Sequence, residues 1–365
     1  MRILEPTLIV DETIAKNNIR RMVDRSRASG ATLRPHFKTH QSLEVGKWFK
    51  SLGVTQIACS SFRMASYFSA DWDDILVAFP CNILEIDRIN DLASRIQLHL
   101  TVFDVETIHF LEQHLHHAVN VWIKIDAGNN RAGLLPDDEQ NITHLIEIIQ
   151  RSTKMHCQGF LLHAGQTYKA RAVEEIEAIF QLAQADILYL KSRYSPILQN
   201  LRISFGDTPS CSVINHIEEA SEWRPGNFVY YDLTQYKIGS CSLKDIAVAL
   251  VCPVVGKVAN RLELILYGGG VHLSKDRLEL PDGRVVWGLA VRWNGDSWSF
   301  FDKEYYLRSI SQEHGVLPLD KEMFNTIQVG DLIGILPIHS CMSADLQKSV
   351  HTFDGKKYSM LRPND

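Results

Sequence analysis

The stretch ATLRPHFKTH, residues 31–40, decides the fold that the sequence predicts. It joins a short β-type run to a polar segment that holds Lys38, and a segment of helical period follows it. Short β-type runs and longer helical segments alternate in this way from about residue 12 to about residue 235. Strands that alternate with helices of this length form a parallel sheet.

Eight such strands are predicted, and their number helps to decide between two kinds of parallel sheet. They cover residues 31–36, 55–60, 74–79, 97–102, 119–126, 157–163, 201–205 and 222–231. Helical periodicity predicts helices at 12–28, 44–51, 105–116, 139–151 and 172–192. Eight units within about 220 residues favour a closed (β/α)8 TIM-type barrel. An open doubly wound sheet is the alternative, but no GxGxxG motif follows an early strand.

The last third of the chain has a different pattern. Short apolar runs at 246–255, 262–267, 284–292 and 332–336 are separated by turns such as Pro281-Asp282-Gly283. This arrangement predicts a mainly antiparallel β domain, to which residues 7–10 can add a strand. We therefore expect a barrel domain at 11–238 and a β domain at 239–365 that includes the strand within 1–10.

Composition and charge argue against several classes of protein. The 365 residues carry 38 Lys and Arg against 43 Asp and Glu, and a net charge of −5 does not suit a nucleic-acid-binding protein. Seven scattered cysteines without a CxxC pair favour a reducing cytoplasm, and the N-terminal segment does not resemble a secretory signal. No apolar run reaches the ~18 residues that a membrane span requires.

Lys38 is the first candidate for chemistry. In a barrel of this kind, residues at the carboxyl ends of the strands face the active site. A lysine placed there among cations such as Arg34, His36 and His40, and partly desolvated, has a lowered pKa and can attack an aldehyde as a neutral amine. A surface lysine in a loop is the alternative, and the residues at the other strand ends favour the catalytic role.

Four further strands end in polar clusters. The fifth ends at Asp126 and Arg131, and the sixth at His163, Gln166 and Tyr168. The seventh and eighth are followed by residues that can build a phosphate cup from backbone N–H groups and hydroxyls, namely Ser204, Gly206, Asp207, Thr208, Ser210, Arg224, Gly226 and Asn227. Each cluster alone is typical of a turn, whereas four clusters at four strand ends indicate a site.

His339 and Cys341 form a second candidate site. They follow an apolar strand in PIHSCMSAD, and side chains two apart in an extended segment point the same way. Imidazole and thiolate together suit Zn²⁺, and two protein ligands leave positions open for water or substrate. The alternative, which the spacing alone favours, is a buried cysteine beside a turn histidine.

These motifs and their order resemble the fold-type III pyridoxal-5′-phosphate (PLP) enzymes, in the D-serine dehydratase and D-threonine aldolase branch related to alanine racemase. The likeness runs through nearly the whole chain, from LIVDETIAKNNIRRM through RPHFKTH, HAGQTY, SFGDTPS, RPGNFVYYD and QEHG to HSC. RPHFKTH and the His-x-Cys pair are its most specific parts. It implies a PLP-binding barrel and a homodimer.

The resemblance also implies roles for individual residues. Lys38 matches the lysine that binds PLP covalently and then acts as the base at Cα. His339 and Cys341 match a metal pair, expected to hold Zn²⁺ or another divalent metal such as Mn²⁺. The residues expected around the cofactor are Arg131 at its 3′-oxygen, His163 at its ring, Tyr168 beside it, Thr208, Gly226 and Asn227 at its phosphate, and Arg224 at the pyridine nitrogen, together with Ser204 and Gly206 from the seventh strand end.

The identity of the second metal ligand favours one reaction. The aldolases of this branch usually have Asp there, so Cys341 favours β-elimination from a β-hydroxy D-amino acid such as D-serine or 3-hydroxyaspartate, which yields a keto acid and ammonia. Retro-aldol cleavage and racemisation remain open. A PLP-carrier protein is the non-enzymatic alternative, but such proteins lack a second domain. One motif departs from the branch: an Asp-Ala-Gly run is replaced here by Gly268-Gly269-Gly270, which removes a carboxylate.

Overall fold

The first strand and the first helix belong to different parts of the molecule. A computed structural model describes residues 2–362. Strand β1 (Thr7–Val10) pairs with the C-terminal sheet, whereas helix α1 (Glu12–Ala28) packs on the barrel. Between them, the Asp11 carboxylate accepts hydrogen bonds from the backbone N–H groups of Thr13 and Ile14 and so caps the helix.

The barrel is one sheet of eight parallel strands. They are β2 (Thr32–Leu33), β3 (Ile57–Cys59), β4 (Asp74–Pro80), β5 (Gln97–Val102), β6 (Val119–Lys124), β7 (Met155–Leu162), β8 (Arg202–Phe205) and β9 (Glu222–Trp223). They pair in the order β2-β9-β8-β7-β6-β5-β4-β3. A bridge between His36 and Ala58 joins the two edges, so the sheet closes on itself. The predicted fold class is confirmed.

Helices surround this sheet. They are α2 (Leu43–Lys50), α3 (Phe62–Phe68), α4 (Ile86–Ala93), α5 (Val105–His114), α6 (Glu139–Arg151), α7 (Val173–Tyr194), α8 (Thr208–Val213) and α9 (Leu233–Lys237). Helices α3 and α4 lie in segments where no helix was predicted, because two turns are too short to show a clear apolar period. No helix in the described part of the chain is long and apolar enough to cross a membrane.

The predicted strand at 222–231 is wrong over most of its length. Only Glu222 and Trp223 pair with neighbouring strands, and a short 3-10 turn follows at Asn227–Val229. Pro225 lies between them. Because proline has no N–H and a fixed φ, it ends the ladder there, and the residues after it are free to turn over the mouth of the barrel.

Charged side chains fill part of the barrel interior. Arg34 is fully buried and donates hydrogen bonds through Nε to both carboxylate oxygens of Glu222 at 3.0 Å, and through Nη1 to Asp74 at 2.5 Å. Nε2 of His99 lies 3.2 Å from the same Asp74 carboxylate, and Trp122 donates to Nδ1 of that histidine at 3.0 Å. Since a buried charge is tolerated only with partners, these residues form one mutually dependent network.

The C-terminal part is a mainly antiparallel sheet of ten strands that includes β1. This part of the chain also contains three helices and a separate hairpin of β12 and β13. In chain order its elements are β10 (Val248–Val258), β11 (Glu263–Tyr267), α10 (Gly270–Leu273), β12 (Leu278–Glu279), β13 (Val285–Val286), β14 (Gly288–Trp293), β15 (Trp298–Ser299), β16 (Ser309–Ile310), β17 (His314–Pro318), α11 (Lys321–Thr326), β18 (Leu332–Pro337), α12 (Ser340–Gln347), β19 (Ser349–His351) and β20 (Lys357–Ser359). The main path is β15-β14-β18-β10-β1-β19-β20. The domain boundary at 238 and 239 stays a prediction.

Strand β18 brings the C-terminal part to the mouth of the barrel. It lies between β14 and β10, and helix α12 begins directly after it. Thr234 of the barrel donates hydrogen bonds through its backbone N–H and its hydroxyl to the carbonyl of Ile338. The backbone N–H of Ser340 donates to the Asp232 carboxylate at 3.0 Å. These bonds hold the HSC motif over the barrel.

Candidate active site

Two cavities that share part of their walls open at the carboxyl ends of the barrel strands. The inner cavity has a volume of about 330 Å³ and reaches Arg224. The outer cavity has a volume of about 310 Å³ and reaches His339 and Cys341. Both cavities are lined by Lys38, Arg131, His163, Tyr168 and Asn227. Most of the predicted site residues are therefore brought together at one place.

Lys38 stands where the two cavities meet. Its neighbours Phe37 and Thr39 are fully buried, and Phe37 packs edge-on against the ring of Trp72, so the backbone around Lys38 is fixed. The lysine side chain itself is exposed. The expected desolvation of Lys38 is therefore not found, because the residue follows the end of β2 at the open mouth of the barrel.

The inner cavity is electropositive. Arg131 is carried by a turn in which the Asp126 carboxylate accepts the backbone N–H of Arg131 at 3.1 Å. Lys124 also lines this cavity, and its burial, with the charge of Arg224 nearby, lowers its pKa to about 7. Burial lowers the pKa of His163 to about 3, so this imidazole is neutral. The guanidinium groups of Arg131 and Arg224 thus supply the permanent charge, which suits an anionic ligand.

Arg224 is held in position by hydrogen bonds that connect it to the charged network inside the barrel. It donates through Nε to the hydroxyl of Ser204 and through Nη2 to the carbonyl of Leu162. Ser204 in turn donates to the Glu222 carboxylate at 2.6 Å. Ser204 is fully buried behind Arg224 and lines neither cavity, since its side chain points into the barrel. The structure therefore gives no evidence for the predicted contact between Ser204 and the cofactor. Ser204 instead accepts a hydrogen bond from Arg224 and holds that guanidinium in place.

Two glycines allow backbone segments to approach closely beside the inner cavity. A Cβ on Gly206 would lie 2.6 Å from the backbone nitrogen of Arg224, and a Cβ on Gly226 would lie 2.8 Å from the carbonyl oxygen of His36. Thr208 begins α8, and its hydroxyl accepts the backbone N–H groups of Gly226 and Asn227 at 3.3 and 3.1 Å. The seventh and eighth strand ends therefore meet as the sequence predicts.

Tyr168 and Asp207 complete this corner. The phenol oxygen of Tyr168 accepts the backbone N–H of Thr208 at 3.2 Å, and burial raises the pKa of Tyr168, so it is a neutral phenol. Asp207 caps α8 by accepting the N–H of Ser210 at 2.7 Å, and burial raises its pKa to about 6.

The inner cavity fits PLP. It combines the exposed amine of Lys38, two guanidinium groups for a phosphate and a phenolate oxygen, and a neutral imidazole at His163. Gly206 and Gly226 let the backbone segments beside this cavity pack closely, because a Cβ at either position would clash with the backbone of Arg224 or of His36. An aldehyde cofactor with an anionic tail matches this set of groups.

His339 and Cys341 line the outer cavity and not the inner one, whereas Arg224 lines only the inner cavity. The predicted extended conformation holds for the backbone of His339, which is the N-cap residue of α12, but is wrong for Cys341, which lies in the first turn of that helix. The two side chains nevertheless both line the outer cavity and are close enough for each to shift the pKa of the other. Among residues 2–362, no group of three or more His, Cys, Asp and Glu side chains is arranged around a common metal position.

The Cys341 sulfur is held by several partners and is electrostatically prepared for ionisation. It lies 3.1 Å from the hydroxyl of Thr39, and the side-chain amide of Asn227 donates to it at 3.5 Å. Although burial opposes charge, His339 and Lys38 lower the pKa of Cys341. Burial likewise opposes charge on His339, but Asp276 and Cys341 raise its pKa to about 11. Without a metal the pair is therefore a thiolate beside an imidazolium. A divalent metal such as zinc would displace the imidazolium proton and bind thiolate and imidazole, a donor set that suits it.

Sequence reasoning missed several residues in and around this site, of which four contact its functional groups or carry charge into it. Lys124 and Thr39 gave a partial signal, the first as a lysine inside an apolar strand and the second as the neighbour of Lys38. Asp232 and Asp276 gave none, because they reach the site only through tertiary contacts with Ser340 and His339.

Two family models match the chain. A model of the alanine racemase N-terminal domain covers residues 10–233, and a model of a serine dehydratase domain covers residues 247–353. The barrel and the C-terminal sheet thus each correspond to one model, and PLP as the cofactor is supported by the first of them.

Curated relatives share much of the chain's length at low identity. The D-serine dehydratase of Dictyostelium discoideum is 28% identical over 98% of this chain and 96% of its own length. The D-threo-3-hydroxyaspartate dehydratase of Delftia sp. strain HT23 is 27% identical over 92% and 90%. The 3-hydroxy-D-aspartate aldolase of Paracoccus denitrificans is 25% identical over 92% and 84%.

Solved structures show the same fold. The Delftia dehydratase superposes with a TM-score of 0.90 at 25% identity, over 99% of this chain and 98% of that chain. The D-threonine aldolase of Filomicrobium marinum superposes with a TM-score of 0.84 at 19% identity, over 97% and 94%, and shows the fold alone. Since the racemase-domain model matches more than half of the sequence, this chain belongs to the alanine racemase N-terminal domain family.

Proposed function

We propose that this protein is a PLP- and metal-dependent lyase that removes water from a β-hydroxy D-amino acid such as D-serine or D-threo-3-hydroxyaspartate. The products are a keto acid and ammonia. One observation carries the proposal: the amine of Lys38 lies between a cavity that fits PLP and a cavity that holds a histidine–cysteine pair. The names of the Dictyostelium and Delftia relatives support the same reaction.

In this proposal the inner cavity binds the cofactor, and the outer cavity binds the metal. PLP supplies an electron sink when it is bound in the inner cavity. Arg131 and Arg224 hold anionic and electron-rich groups of the cofactor, and Lys38 Nζ takes the proton from Cα of the substrate. His339 and Cys341 would hold the metal, which would supply a Lewis acid for the departing hydroxyl. The neutral phenol of Tyr168 faces both cavities and can donate a hydrogen bond to substrate.

Three observations support the metal. The thiolate–imidazole pair lines the same cavity as Lys38, so a metal there lies beside the bound substrate. A solved structure of a D-threo-3-hydroxyaspartate dehydratase variant in the metal-free form superposes with a TM-score of 0.91 at 25% identity. The sulfur donor favours Zn²⁺ over harder ions such as Mn²⁺, since thiolate is a soft ligand.

Two further properties belong to this proposal. We propose a homodimer, as the resemblance to the fold-type III enzymes implies. We also propose a cytoplasmic location, which the absence of disulfides among the cysteines of residues 2–362 supports. The C-terminal sheet contributes His339 and Cys341 to the site, which argues against a PLP carrier that consists of the barrel alone.

A product screen tests the reaction. The purified protein is incubated with D-serine, D-threo-3-hydroxyaspartate and D-threonine, and keto acid, ammonia, glycine and inverted amino acid are each measured. We expect keto acid and ammonia in equal amounts from a hydroxy D-amino acid. The matched controls are Lys38→Ala, which should be inactive, and Lys47→Ala, whose side chain is exposed on α2. Glycine formed from D-threonine faster than any keto acid would establish the aldolase reaction instead, and inversion alone a racemase.

A further inference from the structure

The ring of His339 has a carboxylate partner that no sequence motif indicates. Its Nδ1 lies 3.2 Å from Oδ2 of Asp276, a residue in the loop after α10. Both side chains are 43% exposed, so neither is held in place by burial. A half-exposed imidazole at the end of a strand has two rotatable bonds, and the hydrogen bond to Asp276 is what restricts them.

The choice of nitrogen decides what His339 can bind. When Nδ1 donates its proton to the Asp276 carboxylate, the lone pair of the ring is on Nε2. Nε2 is then the nitrogen left for Cys341 and for a metal. A carboxylate behind a metal-binding histidine also increases the basicity of the ligand and offsets part of the charge of the ion.

The loop that carries Asp276 is itself tightly organised. Ser274 has a φ of +72° and a ψ of 178°, a conformation that a side chain other than glycine adopts only at a cost. Its hydroxyl donates to Oδ2 of Asp276 at 2.9 Å and accepts the backbone N–H of the same residue at 3.2 Å. Ser274 therefore restrains both the backbone and the side chain of Asp276 in the conformation in which its carboxylate contacts His339.

A second contact joins this loop to the helix that bears Cys341. The hydroxyl of Ser343, which is fully buried, lies 2.9 Å from the carbonyl of Leu273 and 3.2 Å from the carbonyl of His339. One side chain thus fixes the end of α10 relative to the start of α12. Asp276 and His339 keep their distance because their backbones are coupled here.

The glycine run that departs from the related branch explains how α10 reaches this position. A Cβ on Gly269 would lie 2.5 Å from the carbonyl oxygens of Ser311 and Gln312, so only glycine lets α10 approach that segment. Gly270 donates its N–H to the carbonyl of Ser311 at 2.7 Å. The run lacks a carboxylate of its own, but it places a loop whose carboxylate faces His339.

We propose that Asp276 is a positioning residue of the metal centre, which orients His339 through Nδ1 so that Nε2 and the sulfur of Cys341 bind one divalent ion. This inference rests on the proposed metal site. A purely structural role would predict that Asp276→Asn, which can keep the bond to Ser274 but loses the charge, binds metal normally.

The test measures metal binding without turnover. Purified protein, loaded with its cofactor and stripped of metal, is titrated with Zn²⁺ against a chromophoric chelator, and the visible spectrum is recorded with Co²⁺ in place of zinc. Removal of such an orienting carboxylate typically weakens metal binding about 10–100-fold. We expect a loss of this size for Asp276→Ala and a smaller loss for Asp276→Asn, which retains an oxygen acceptor for Nδ1. Asp296→Ala, in an exposed turn of the same sheet, is the matched control and should bind normally.

Three other results would contradict the proposal, and each would contradict a different part of it. Wild-type zinc affinity in Asp276→Ala, together with lost binding in His339→Ala, refutes the role of Asp276 and leaves the metal site intact. Normal binding in both His339→Ala and Cys341→Ala refutes the site and the inference together. A Co²⁺ spectrum that changes coordination number in Asp276→Ala would make Asp276 a direct ligand and refute a positioning role. Thermal unfolding of each variant without metal shows whether the loop still folds.

Discussion

Replacement of Glu222 by Gln tests whether the charged network inside the barrel holds the cofactor site together. Glu222 is fully buried and accepts hydrogen bonds from Arg34 at both oxygens, from Arg202 at 3.1 Å and from Ser204 at 2.6 Å. Glutamine has nearly the same shape but keeps one acceptor oxygen and turns an amide N–H₂ toward donors. The guanidinium of Arg34 is then balanced by Asp74 alone.

The expected cost follows from the burial of both partners. Removal of one member of a buried ion pair typically costs about 3–5 kcal/mol, because the remaining charge is left uncompensated. We expect Glu222→Gln to lose an amount in this range from the free energy of unfolding of the barrel. Ser204 and Arg34 must then share the one remaining acceptor oxygen, so we expect Arg224, which is held by Ser204, to be less ordered and the affinity for PLP to fall as well.

Two measurements and one control check this prediction. Urea unfolding is followed by tryptophan fluorescence, since Trp122 and Trp223 are fully buried in the barrel. The affinity for PLP is measured for the wild type and for Glu222→Gln without denaturant, where both are folded. Glu218→Gln, at an exposed position before the same strand, serves as the matched control. A loss in Glu222→Gln no larger than that of a surface substitution, about 0.5 kcal/mol, would refute the argument that the network stabilises the barrel.

Three further predictions concern the site and the response to acid. Lys38→Ala should lose the yellow cofactor absorbance and borohydride labelling while remaining folded, as circular dichroism can show; labelling of another lysine contradicts the assignment. Chelation, or Cys341→Ala, should abolish turnover and leave the cofactor spectrum largely unchanged, and full activity without metal contradicts the proposed site. His99 and Arg34 hold the pKa of Asp74 at about 2 against the effect of burial, and Arg34 and Ser204 lower that of Glu222. Because both folded pKa values are depressed, the stabilisation is complete well above the unfolded values of ~4 and is lost as pH falls through those values toward ~2. Unfolding curves over this range should show a smaller loss for Glu222→Gln than for the wild type.

Some corrections come from the local chemistry of turns. Pro225 ends the last barrel strand after Trp223, and Pro337 ends β18 before His339, so two segments predicted as extended are extended only in part. In each case the residues expected in the site still reach it. The direction of a side chain after a strand end depends on helix capping and on residues that are close only in space. The hydrophobic periodicity of the sequence does not predict either of these.

The sequence by itself determined the alternation of strands and helices, the change to an antiparallel domain, and the residues at the strand ends. These follow from local periodicity and from the rule that parallel strands present their carboxyl ends on one face. Tertiary structure alone decided that Ser204 supports Arg224 from inside the barrel, that Lys38 stands exposed between two cavities, and that Asp276 meets His339. These are contacts between residues far apart in the chain, and they depend on closure of the barrel and docking of the second sheet, which no local pattern records.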